Sequence, residues 1–153
     1  MATIENMLKI FAGLLTPFIA ITTVCIAYWQ VKVARDKLKM EMYDRRYRIY
    51  RGVADLFIKI LRNDGTNPLP QFIGVTHEAR FCFEDKGISD YLKEVLDKAL
   101  RIKQNRDVIE GVVNEPDLVP TAQRENVGLL TWFNQESANL AGRFQKYLNL
   151  GRL

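Results

Sequence analysis

From Ile10 to Val31 no side chain is charged, and Lys9 and Lys32 close the run on either side. Its 22 residues predict one apolar helix. Such a helix rises roughly 33 Å, enough to cross a hydrocarbon core of about 30 Å. Tyr28 and Trp29 stand at its end, where interfacial aromatic residues sit. A secretory signal peptide has a shorter apolar region, about 7–15 residues, behind a basic start. Here the start holds only Lys9 against Glu5, and a basic flank follows at once: Lys32, Arg35, Lys37 and Lys39. A flank of this kind marks the cytoplasmic side and resists translocation. The expectation is a retained membrane anchor, N-terminus outside and residues from about 32 onward in the cytoplasm. A soluble core helix is the other reading, but such helices rarely lack charge on every face.

A different pattern takes over after the flank. Met40, Tyr43, Tyr47, Tyr50, Ala54, Phe57 and Leu61 recur at alternating steps of three and four, a heptad seam. Met42, Ile49, Val53, Leu56 and Ile60 widen it, while Arg45, Arg48, Asp55, Lys59 and Arg62 form a polar stripe opposite. No proline interrupts Gln30 to Arg62, so one helix is expected from the membrane to about Arg62, stopped by Asn63-Asp64-Gly65. Its wide apolar face implies packing on its own chain and on a neighbouring copy.

Three further helices are predicted. Pro68 and Pro70 are expected to keep the chain extended, with a short helix from Thr76 through Phe83. Ser89 is the expected N-cap of a helix to about Val113, and the last helix is expected from about Gln123 to Leu148. The fold class is all-α. Residues 1–31 form the anchor, 32–62 a basic juxtamembrane stalk helix, and 63–153 a small cytoplasmic helical domain.

Charge sharpens this division. Residues 1–31 hold one acid and one base, residues 32–62 carry a net +6, and residues 63–153 a net −2. The basic balance is therefore local to the membrane-proximal segment. That suits attraction to anionic headgroups rather than a nucleic-acid surface on the globular part.

Candidate chemistry is sparse. His77 is the only histidine, and a zinc site needs three or four converging ligands. Cys82 and His77, five residues apart on one helix, do not face each other as a nucleophile pair would. Cys25 and Cys82 fall on different sides of the proposed topology, which excludes a disulfide framework. Phosphate-binding loops and hydrolase motifs are absent, and Glu84-Asp85 reads as a solvated pair beside a turn. No catalytic residue, metal or cofactor is expected.

Two surfaces carry the functional expectations. Arg45, Arg46, Arg48, Arg51 and Arg80 are candidate ligands for an anion, since guanidinium groups suit phosphates. The plainer reading of Arg46 and Arg80 is an internal ion pair with Asp44 and Glu84. On the span, Gly13, Pro17 and Ala20, continued by Thr23 and Ala27, recur at steps of three or four, and small residues let helices approach closely. With Tyr43, Tyr47, Tyr50 and Phe57 they form the candidate interface of a homo-oligomer.

The segments Lys37–Tyr50 (KLKMEMYDRRYRIY), Glu78–Phe83 (EARFCF), Ile88–Leu92, Leu130–Phe133 and Phe144–Leu148 resemble a widespread family of small bacterial membrane proteins with a single span and a helical cytoplasmic domain. The resemblance covers nearly the whole chain. It implies fold and location, and carries over no activity and no functional residue. The expected function is a membrane-anchored, oligomeric, non-enzymatic interaction or regulatory module with a protein partner. In architecture alone the chain is also similar to membrane effectors of bacterial anti-phage systems, one kind of which answers to cyclic oligoadenylate. That similarity implies an alternative, a ligand-triggered effector sensing an anionic signal such as a cyclic oligonucleotide.

Overall fold

The computed structural model describes residues 2–63 and 65–149, with side chains described at residues 13 and 15 and from residue 17 onward. The side chains of residues 10–12, 14 and 16 of the uncharged run lie outside the described residues, as does Asp64 of the expected turn. Four α-helices follow in order: α1 (Ala2–Arg62), α2 (Leu69–Cys82), α3 (Lys86–Ile109) and α4 (Val119–Gln145), with a single 3-10 turn at Pro116–Leu118 before α4. No strand occurs among the described residues.

The chain divides into two compact units, residues 1–41 and 42–153. The first holds only the N-terminal part of α1. Every described side chain between residues 13 and 31 is exposed, so none of this apolar surface is covered by the chain itself. Among the described residues α1 is the helix long and apolar enough to cross a membrane.

The second unit begins inside the expected stalk. From Met42 on, α1 is one wall of a four-helix bundle. Ile49, Val53, Leu56, Phe57 and Ile60 of α1 enter the core, where Leu69 and Phe72 of α2, Leu92 and Val95 of α3, and Phe133 and Phe144 of α4 meet them. Aromatic edges lock this contact. The Phe57 and Phe133 rings lie 4.9 Å apart at 78°, and Tyr50 meets Phe144 at 5.5 Å. Burying a phenylalanine of this kind stabilises the fold by about 2–3 kcal/mol.

The helix ends explain where the sequence reading was displaced. α1 stops at Arg62 as expected. Asn63 takes φ 50°, and its amide donates to the Lys59 carbonyl at 3.2 Å, a left-handed C-terminal cap. Arg106 of α3 donates to the Ile60 carbonyl at 3.0 Å and satisfies a second free acceptor there. α2 begins seven residues before Thr76, at Leu69. Pro68 and Pro70 start this helix instead of extending the chain, because a first turn has no use for their missing amides. The Asn67 side chain accepts from the Leu69 amide at 3.2 Å.

α3 is capped by Asp85, not Ser89. The Asp85 carboxylate accepts from the Gly87 amide at 2.8 Å, and Ser89 falls inside the first turn. α3 ends at Ile109, short of Val113, and Gly111 turns the chain with φ 74°. α4 starts at Val119, again with a proline, Pro120, in its first turn. It ends at Gln145, and the amides of Tyr147 and Leu148 fold back onto the Phe144 carbonyl at 2.9 and 3.1 Å.

Candidate functional site

The candidate arginines separate into two kinds. Arg45, Arg48, Arg51 and Arg80 are exposed, and none of them forms an ion pair among the described residues. Arg48 and Arg51 line a groove of about 560 Å³ on the bundle, together with two acids, Asp55 and Glu78, and with Gly52, Ile58 and Val75. Its floor exists because Gly52 lets α1 and α2 close together: a Cβ there would stand 2.7 Å from Val75 Cγ2. Arg45 and Arg80 lie outside the groove lining.

Arg46 is half-buried and engaged within the bundle. Its Nε donates to the Cys82 carbonyl at 3.1 Å and its Nη1 to the Tyr147 carbonyl at 3.4 Å. The guanidinium also lies 5.7 Å from the centre of the Phe83 ring. The ion pair expected among Asp44, Arg46, Arg80 and Glu84 does not form: Asp44, Arg80 and Glu84 are exposed, and Arg46 serves backbone carbonyls instead. These acceptors are carbonyl oxygens at helix C-terminal ends, which lack intrahelical partners and lie where the helix dipole favours a cation.

The seam residues separate as well. Phe57 is only 2% exposed and belongs to the bundle's own core, so it has no surface to offer a second copy. Tyr50 is half-buried against Phe144. Tyr43 and Tyr47 stack at 6.1 Å with nearly parallel rings, and Tyr47 keeps 42% of its surface exposed. Gly13, Pro17 and Ala20 are all exposed on the first unit. Beyond the seam, Phe81 is 89% exposed next to Arg80.

Two polar networks were not foreseen. Asp85, read as solvated, holds the C-terminal turn. Lys146 Nζ donates to it at 2.7 Å and the Tyr147 hydroxyl donates to the same carboxylate oxygen. The hydrogen bond from Lys146, with those from Tyr147 and the Gly87 amide, keeps this carboxyl well below the usual carboxylate range. The signal in the sequence is the aspartate two residues before Gly87, a favoured N-cap residue type. The second network is on α4, where buried Glu136 accepts from Arg143 and Arg143 lies 4.6 Å above the Tyr91 ring. Burial, then the Glu136 charge, pushes the Tyr91 hydroxyl well above its ordinary range.

Cys82 is buried, and that burial, with Glu78 beside it, raises its thiol above the ordinary value against the pull of Arg45, Arg46 and Arg48. A buried thiol held protonated is a poor nucleophile. No group of three or more His, Cys, Asp or Glu side chains is placed to hold a metal ion among the described residues.

Comparison with known proteins finds no matching family model, no matching curated protein and no matching solved structure. The functional reading therefore rests on the chain's own surfaces: an exposed apolar helix, a stacked tyrosine pair, and an arginine-lined groove.

Proposed function

We propose that the chain is a membrane-anchored, non-enzymatic helical module that self-associates and recruits or regulates a protein partner at the bacterial inner membrane. Its N-terminus lies outside and its bundle in the cytoplasm. One observation carries this reading: the uncharged run stays exposed along its described length while the same helix supplies five residues to a well-filled core. A water-soluble fold leaves contiguous apolar surface of that size bare only where something else covers it. The basic flank from Lys32 supports the orientation. Tyr43 and Tyr47, the seam residues least consumed by the bundle, supply the self-association surface together with Gly13, Pro17 and Ala20. Crosslinking in native membranes tests this. Discrete multimers weakened by Tyr47→Glu are expected, and a monomer in membrane and detergent alike overturns the reading.

The groove favours a second reading, a ligand-triggered membrane effector. Arg48 and Arg51, neither in an ion pair among the described residues, stand in this concavity beside Asp55 and Glu78 and would supply the cations for a phosphate-bearing ligand such as a cyclic oligonucleotide. The thermal stability of the full chain in detergent, measured against a panel of cyclic and linear oligonucleotides, tests it. A saturating ligand at a hundredfold excess over Kd adds about 2.7 kcal/mol, and Arg48→Ala with Arg51→Ala removes the gain. A panel without any shift, alongside a co-purifying protein, leaves the interaction module alone.

A further inference from the structure

The basic flank has a face on which three cations stand with a single acid. Tyr28, Lys32, Arg35 and Lys39 follow one another at steps of four, three and four, which stacks them on one side of α1. Together with Val31 and Asp36 they line a concavity of about 210 Å³. Three cations thus meet one acid, and Lys32, Arg35 and Lys39 make no ion pair among the described residues. From Lys32 to Lys39 the rise is roughly 10 Å. Directly before them lie Tyr28, Trp29 and the uncharged run. In the membrane reading, on which this inference rests, that is headgroup depth.

We infer that this face is a binding site for the phosphate headgroup of an anionic phospholipid. Position and charge select the occupant. A residue pair such as Lys32 and Arg35 just beyond the hydrocarbon boundary meets lipid phosphates before any soluble anion. Clustered Lys and Arg at that depth are attracted by anionic lipid. Tyr28 places an amphipathic ring between acyl chain and headgroup. Lys37 points to the opposite side of the helix, half a turn from Lys32, Arg35 and Lys39, so the site is a property of one face and not of the flank's total charge.

A charge-matched comparison tests this. The full chain, the triple variant Lys32→Gln/Arg35→Gln/Lys39→Gln, and a control Lys37→Gln/Arg62→Gln/Arg124→Gln, whose last two residues are exposed on the bundle, are purified in detergent. Each is titrated with phosphatidylglycerol and phosphatidylcholine, and retained lipid is read by native mass spectrometry. The natural chain should retain phosphatidylglycerol in preference to phosphatidylcholine by on the order of tenfold. The triple variant should fall to parity and the control should keep the preference. Excess inorganic phosphate should not displace the lipid. Equal loss in both variants, no preference in the natural chain, or displacement by inorganic phosphate would overturn the site. Alkaline extraction of native membranes, run in parallel, separates the two claims: a chain that stays in the membrane without lipid preference defeats the lipid site alone, whereas a chain that is extracted defeats the anchoring reading and the site with it.

Discussion

Arg46 Nε donates to the carbonyl oxygen of Cys82, the last residue of α2, at 3.1 Å. The same guanidinium reaches the Tyr147 carbonyl just beyond α4. One cation therefore closes the negative ends of two helices against α1. Because charge-assisted hydrogen bonds to half-buried carbonyls are involved, Arg46→Ala should lower bundle stability by about 2 kcal/mol. Arg46→Lys should recover only part of this, since an ammonium lacks the fork that spans two acceptors. Exposed Arg45→Ala should stay within about 0.5 kcal/mol of the natural chain. Thermal or denaturant unfolding of the three variants in detergent checks the order. Equal effects at residues 45 and 46 would refute the tie.

The latch at Asp85 makes the C-terminal turn sensitive to pH in a defined direction. Its carboxyl is depressed in the folded state by the hydrogen bonds from Lys146, Tyr147 and Gly87. Its contribution is present above the unfolded carboxylate value, near 3.9, and is lost as pH falls toward the depressed folded value. Lys146 is raised, chiefly by its hydrogen bond to Asp85. Its share is present below the unfolded lysine value, near 10.4, and is lost as pH rises through the folded one. The Tyr147 contact to Asp85 should therefore persist through neutral pH and open in acid. NMR titration of the Asp85 carboxyl and the Tyr147 ring should show one shared acid transition, absent in Asp85→Asn. A carboxyl titrating at its ordinary value would contradict the latch.

Core packing gives a third expectation. Phe57 touches Phe133 and Trp132 inside the bundle, so Phe57→Ala should cost about 3–5 kcal/mol. Gly52→Ala should cost about 1–3 kcal/mol, because the new methyl would stand 2.7 Å from Cγ2 of Val75, a β-branched side chain stiff at χ1. Tyr47→Ala should leave unfolding nearly unchanged. A mild Phe57→Ala would mean that Phe57 faces a partner rather than the core.

The helices were legible because apolar periodicity survives in a bundle of this kind. The seam from Tyr43 to Leu61 predicted α1 to its last residue, and Asn63 supplied its stop. Prolines were harder to read. Pro68, Pro70 and Pro120 act identically as helix starters and as spacers in the sequence, and only the packing of Leu69 and Phe72 decides between the two. The arginine row carried even less. Arg45, Arg46 and Arg48 differ by position on one turn, yet Arg46 alone faces two helix ends. Nothing in the local sequence marks carbonyls 36 and 101 residues away. A heptad seam fits a neighbouring chain and the chain's own α4 equally well, and at Phe57 it is Phe133 of α4 that meets the ring.

The central claim is that α1 holds this chain in a membrane as an uncleaved anchor. Alkaline extraction of native membranes containing the chain, tagged at both ends, tests it most directly. Both tags should remain in the membrane pellet on one polypeptide of full length, and only the C-terminal tag should be open to reagents in the cytoplasm. Release of the chain into the supernatant, or a C-terminal fragment that has lost the N-terminal tag, would contradict the account.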